Sequence, residues 1–336
     1  MNKFLTLSEE QRKNIFVTTA YQIGLPPQVL EKDFWVTAIL QTVFSLPIAE
    51  HLVFKGGTSL SKGWNLIERF SEDIDLAIDP VLLEVPDGDL TKRQIKKLRK
   101  SSSVYVLEKL VPMIREKLEQ QELNDFITVT PQPNGEGDNT YPEPRQVYIH
   151  YKTVFDDTLS YLRPDIVLEI SARSLLEPTE TISVRSEISE HLPIEPIAES
   201  SIHVAIPGKT FLEKAFLLHE IFSVPTGGII AARKSRHLYD LYMMMDKDFA
   251  KQAIRNDDLW ESIRHHREIY TSVRGVDYTP DVRSRIQLVP RKDILEEWKA
   301  DYKAMQESMI YGQQPSFEEL LKAMSELENE FRCSNI

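Results

Sequence analysis

Residues 54–79, FKGGTSLSKGWNLIERFSEDIDLAID, constrain this chain more than any other stretch. An apolar run, Leu52-Val53-Phe54, meets Lys55 and then Gly56 and Gly57, followed by the hydroxyl residues Thr58 and Ser59. A helical stretch of about ten residues leads to Arg69, Ser71, Asp73 and Asp75. The frame Ile74, Leu76, Ile78 reads as a strand, and alternation then puts Asp73 and Asp75 on one side of it. Two carboxylates on one face repel unless a cation lies between them. An oxygen-rich pair suits Mg²⁺ (or Mn²⁺), which completes its shell with water and substrate phosphates. Glycines let a backbone approach a phosphate closely, and a following helix adds N–H donors. The turn is neither a Walker loop nor a dinucleotide fingerprint, because those glycine and lysine spacings are absent.

The 336 residues predict one large domain or two intimate ones. No apolar run approaches a membrane span. The start, MNKFLTLSEEQRKN, lacks the apolar core of a signal peptide. A lone Cys333 excludes an intrachain disulfide framework and a cysteine-based zinc cluster. A cytoplasmic protein is the expectation. The net charge of −12 argues against a general nucleic-acid coat. Against it stands one basic run: Lys92, Arg93, Lys96, Lys97, Arg99 and Lys100. Its two readings are a solvated helix face and a contact for nucleic-acid backbone.

In chain order, residues 8–23 read as a helix capped by Ser8, with Glu9 and Glu10 in its first turn. Pro26-Pro27 stops it, and a second helix follows over 28–45. Glu31, Lys32 and Asp33 open that helix as a charged face, or else border the site. A long helix or helix pair covers 91–122, with a kink or break predicted at Pro112. Strands are predicted over 126–130, 146–153, 163–171, 181–184 and 201–206. From Lys209 the chain is helical, over 210–222, 231–245, 248–274, 290–310 and 316–331, with a Gly227-Gly228 loop after the first. The composition changes near 207, which sets the expected domains at 1–207 and 208–336.

A two-metal phosphoryl-transfer site needs a third carboxylate on a neighbouring strand. Glu169 is the candidate, with Asp165 as its rival on the same strand face; the other reading is a strand end facing solvent. Lys214, among Phe211, Leu212, Ala215 and Phe216, reads either as a cation for a triphosphate or as a snorkelling lysine. Asp240 pairs with Lys214 or Arg236, or serves the site. His219 and His237 have no metal-ligand spacing and read as core or surface residues. No Ser-His-Asp arrangement can be assigned from spacing. Glycoside hydrolysis by paired carboxylates leaves the Gly-Gly-Thr-Ser turn unexplained.

Gly56-Gly57-Thr58-Ser59 followed by Arg69-Phe70-Ser71-Glu72-Asp73-Ile74-Asp75-Leu76 resembles the signature of the AbiEii/AbiGii toxin family, nucleotidyltransferases of the polymerase-β-like superfamily. Three later stretches extend the resemblance: residues 167–173 (VLEISAR), residues 210–220 (TFLEKAFLLHE) and residues 236–242 (RHLYDLY). The resemblance implies an α/β (α+β) nucleotidyltransferase core with a mixed sheet, followed by a helical C-terminal domain. It implies that Asp73, Asp75 and Glu169 bind Mg²⁺ (or Mn²⁺). Lys55, Gly56, Gly57, Thr58, Ser59, Arg69, Ser71 and Lys214 then hold the NTP. Asp73, Asp75, Glu169, Lys214 and Asp240 form the catalytic set. Which of Thr58 and Ser59 supplies the working hydroxyl stays open. The implied activity is that of a type IV-like toxin, transferring NMP to a tRNA 3′ end, in a toxin–antitoxin or phage-defence setting. The implied partner is an antitoxin, often a transcriptional regulator. The rivals are a small-molecule nucleotidyltransferase of the antibiotic-resistance type and a non-catalytic nucleotide-binding module.

Overall fold

A computed structural model describes residues 2–71, 73–86, 88–137, 140–156, 165–197, 201–224 and 232–334. Glu72, Arg163 and the Gly227-Gly228 loop lie outside the described residues. The chain divides into two compact units: residues 1–63 with 71–204, and residues 64–70 with 205–336.

In the first unit, helix α1 (Glu9–Ile23) starts at a capping box between Ser8 and Gln11 and ends on Gly24 at φ +72°. Helix α2 (Pro27–Val43) has Pro at its first position, where no N–H is needed. The expected charged face at Glu31-Lys32-Asp33 is overturned in part. Glu31 and Lys32 are buried. The Glu31 carboxylate accepts from Thr153 Oγ1 at 2.5 Å and from the Val154 N–H at 2.9 Å. Burial raises the Glu31 pKa, and these bonds oppose the rise. Asp33 instead forms an ion pair with Lys62.

Strand β1 (Leu52–Lys55) runs into a helical turn, α3 (Gly56–Thr58), which widens into a π segment, Ser59–Gly63. Strand β2 (Ile74–Ile78) follows. Helix α4 (Lys92–Tyr105) and helix α5 (Val111–Gln120) are joined by a π segment, Val106–Leu110. The expected break at Pro112 is therefore a widened turn just before it. Proline supplies no N–H and its ring crowds the preceding turn, so the helix loosens there without ending.

Strands β3 (Ile127–Pro131), β4 (Arg145–Tyr151), β5 (Asp165–Ser171) and β6 (Thr179–Ile182), the short helix α6 (Glu187–His191) and strand β7 (Ile202–Ala205) complete this unit. The seven strands form one mixed sheet in the order β3-β4-β5-β2-β1-β7-β6. β2 is antiparallel to β1 and parallel to β5, while β4 is antiparallel to β5. Trp35 on α2 stacks on Tyr151 of β4, with ring centroids 5.8 Å apart. This contact seats α2 on the sheet through the large aromatic surfaces that dominate core burial.

The second unit is helical: α7 (Pro207–Ser223), α8 (Arg236–Met244), α9 (Asp248–Arg255), α10 (Asp257–Tyr270), α11 (Leu295–Ser308) and α12 (Phe317–Cys333). α7 is its centre. Phe211 packs on Phe331, Phe216 on Trp260 and Phe222 on Trp298, with centroids 6.2, 4.4 and 4.7 Å apart. The single helix expected over 248–274 is two. Asn256 interrupts it, and its side chain accepts from the Leu259 N–H to cap α10. Residues 64–70 join this unit through Phe70 N–H to Met309 O at 2.7 Å and a bridge between Arg69 and Ile310. Among the described residues, no helix is long and apolar enough to cross a membrane.

Candidate active site

The register of the sheet sets four polar side chains in one row. Lys55 on β1 lies opposite Asp75 on β2, Asp75 beside Glu169 on β5, and Glu169 opposite Gln146 on β4. Neighbouring strands lie about 4.8 Å apart, so Asp75 and Glu169 share one face as adjacent carboxylates. Gln146 Nε2 donates to Glu169 Oε1 at 2.7 Å and fixes that carboxylate. Gln146 is a site residue that sequence reasoning missed, because only strand register distinguishes it from any other polar residue of β4. The rival acid, Asp165, is held 2.5 Å from His150 Nδ1.

The glycine turn closes over the same row. Gly56 has φ +78°, a left-handed backbone, and a Cβ there would lie 1.9 Å from Asp75 Oδ2. Only glycine lets the chain pass this close to the carboxylate. Thr58 is buried; its Oγ1 donates to the Asp73 carbonyl and lies 2.8 Å from Ser71 Oγ. Ser59 is buried and donates to the Gly56 carbonyl at 2.9 Å. Both hydroxyls thus shape the loop: Thr58 ties it to the residues just before β2, and Ser59 braces the turn itself. Lys62, in the π segment, is anchored by Asp33.

Gly56→Ala should be destabilised by about 1–2 kcal/mol from backbone strain, read by denaturant unfolding. Any activity that depends on Asp75 should fall much further than that loss implies, because the Cβ displaces Asp75. A variant that keeps wild-type activity would show that the close approach of Gly56 is incidental.

The carboxylates suit a hard divalent cation. Asp75 and Glu169 are adjacent and every donor is oxygen. Mg²⁺ needs one or two such carboxylates. Among the described residues no group of three His, Cys, Asp or Glu forms a larger cluster.

Lys214, Asp240 and Arg69 belong to the second unit. Asp240 is fully buried. Arg69 Nε donates to its Oδ1 at 2.6 Å and Arg69 Nη2 to its Oδ2 at 2.8 Å; Lys214 Nζ lies 2.8 Å from the same Oδ2. Burial opposes ionisation of Asp240, but Arg69 and Lys214 outweigh it and hold the carboxyl below the ordinary aspartate range. Burial lowers the Lys214 pKa, and Asp240 opposes that shift. Burial, then Lys214 and Arg236, lowers the His237 pKa well below the ordinary histidine value. His219 is a core residue that accepts from the Gln287 N–H at 3.2 Å. Arg69, expected to hold nucleotide, is thus bound bidentately by Asp240. Of the pairings expected for Asp240, the structure shows the one with Lys214 and adds one with Arg69, which the sequence did not suggest.

The family profile described as "Nucleotidyl transferase AbiEii toxin, Type IV TA system" matches residues 38–323. No curated protein matches the chain. Among solved structures, JHP933 from Helicobacter pylori is 15% identical with a TM-score of 0.46, over 92% of this chain and 94% of that one. MenT4, a nucleotidyltransferase toxin from Mycobacterium tuberculosis H37Rv, is 16% identical with a TM-score of 0.44, over 98% and 99%.

Proposed function

The chain belongs to the AbiEii family of nucleotidyl transferase toxins of type IV toxin–antitoxin systems, and on that premise we propose that it transfers NMP from an NTP to the 3′ end of tRNA, releasing pyrophosphate. The observation that carries this reading is the in-register pair Asp75 and Glu169 under the Gly56 backbone. Asp75 and Glu169 would hold Mg²⁺ (or Mn²⁺). When bound, such an ion would neutralise phosphate charge and favour ionisation of the attacking hydroxyl. The Gly56-Gly57 backbone receives the phosphates, and Lys55 adds positive charge at the end of β1. Glu169, fixed by Gln146, takes the proton of the attacking hydroxyl. By the family resemblance Lys214 is proposed as a phosphate-binding cation. Asp240 is the anion that keeps Lys214 and Arg69 in place.

The toxin acts in the cytoplasm, where tRNA is available, and its antitoxin is a transcriptional regulator acting in toxin–antitoxin control or phage defence. Incubation with each labelled NTP, Mg²⁺ and total RNA tests the reaction. Label should appear on tRNA and disappear on mild ribonuclease digestion of the RNA. Label confined to a small molecule would overturn the acceptor and favour the antibiotic-type transferase.

A further inference from the structure

We infer that the exposed basic face of α4 binds the phosphodiester backbone of the acceptor RNA. The inference rests on the RNA acceptor proposed above and extends it to a surface outside the reacting site. Lys92, Arg93, Lys96, Lys97 and Lys100 are all exposed on this helix. They form two rows at i, i+4 spacing: Lys92-Lys96-Lys100 and Arg93-Lys97. The fourteen residues of α4 contain no Asp or Glu, in a chain whose net charge is −12.

This arrangement works against the helix itself. Like charges at i, i+4 repel, and Lys92 and Arg93 sit in the first turn, where the helix dipole disfavours cations. Other surface helices of the molecule avoid the cost. Lys303 faces Glu307 on α11, and on α12 Lys322 faces Glu326 and Arg332 faces Glu328, all at i, i+4. No acid lies within α4 itself, so an anion meeting this face from outside meets five exposed cations together.

The chemistry of the face favours a nucleic-acid backbone over a protein. Protein interfaces are centred on apolar and aromatic residues and are depleted in lysine. Here Leu98 is buried beneath the helix and the exposed positions are cations. Rows with about 6 Å between successive charges match the repeat of phosphates along an RNA strand. At the end of one row Lys100 Nζ lies 5.3 Å from the Tyr141 ring, which adds a flat surface beside the charges.

α4 is fastened to the sheet through Ser103, whose Oγ accepts from Arg145 Nε at 2.7 Å. Arg145 immediately precedes Gln146, which holds Glu169, and strand alternation turns these two side chains to opposite faces. The helix therefore meets the body of a large acceptor and not its reacting end.

The test replaces Lys92 and Arg93 by Glu together. The double variant puts acids in the first turn and pairs them with Lys96 and Lys97, so the Tm should hold or rise. Binding of 5′-labelled bulk tRNA is followed by fluorescence anisotropy without NTP, across a salt series. Affinity should fall by about tenfold or more, and the slope of log K against log salt should become shallower by about two. NTP binding should be unchanged. An unchanged RNA affinity and slope would overturn the inference, as would a variant that loses an acidic protein partner while still binding RNA. Because binding is read without transfer, a wild-type protein that binds tRNA through α4 but labels none would refute the acceptor reading alone.

Discussion

The Asp75→Ala protein should fold as well as the wild type and transfer nucleotide at least ~10³-fold more slowly, about 4 kcal/mol of lost transition-state stabilisation. The expectation follows from the sheet register. Asp75 lies beside Glu169, and like charges on neighbouring strands oppose folding unless a cation or a substrate offsets them. Removing one carboxylate relieves that repulsion, so the Tm should stay level or rise slightly. Activity falls because the remaining acid cannot position the phosphates alone. Induced expression of the wild type should arrest growth, and Asp75→Ala should relieve the arrest. Equal toxicity of the variant, at matched protein level, would remove the catalytic role of the pair.

The local features of this site were legible in the sequence because they are written in short range. A strand, two glycines and two hydroxyls specify the turn without tertiary information. Caps were legible for the same reason, as at Ser8. Pairings across the chain were not. Glu169 and Asp165 share a strand face, and only the β2–β5 register brings Glu169 beside Asp75. Gln146 carries no local signal at all. The two-helix break at Asn256 was missed because neither Gly nor Pro marks it, although an Asn followed by Asp257 and Asp258 is an N-terminal signal. Glu31 and Lys32 misled by their charge, since a side chain with buried partners can be charged and still lie in a core.

Asp240→Asn should destabilise the protein by about 3–5 kcal/mol, lowering the Tm by roughly 10 °C, before any effect on chemistry is considered. The carboxylate is fully buried and is the shared anion of Arg69 and Lys214, 171 residues and 26 residues away in the chain. An amide of the same shape leaves two buried cations facing each other without their anion. Lys214→Met should behave differently. Arg69 still binds Asp240 bidentately, so the fold should survive with a smaller loss, while nucleotide affinity drops. The pH dependence separates the cases further. The Asp240 carboxyl ionises more readily folded than unfolded, so its contribution is present above about pH 4 and is lost as the pH falls below that. Asp240→Asn should lack this acid limb of the stability curve, and Lys214→Met should keep part of it. A variant at Asp240 that unfolds like the wild type yet transfers nothing would reverse the assignment: the carboxylate would then act on the reacting groups directly, and the ion pairs would be secondary to that role.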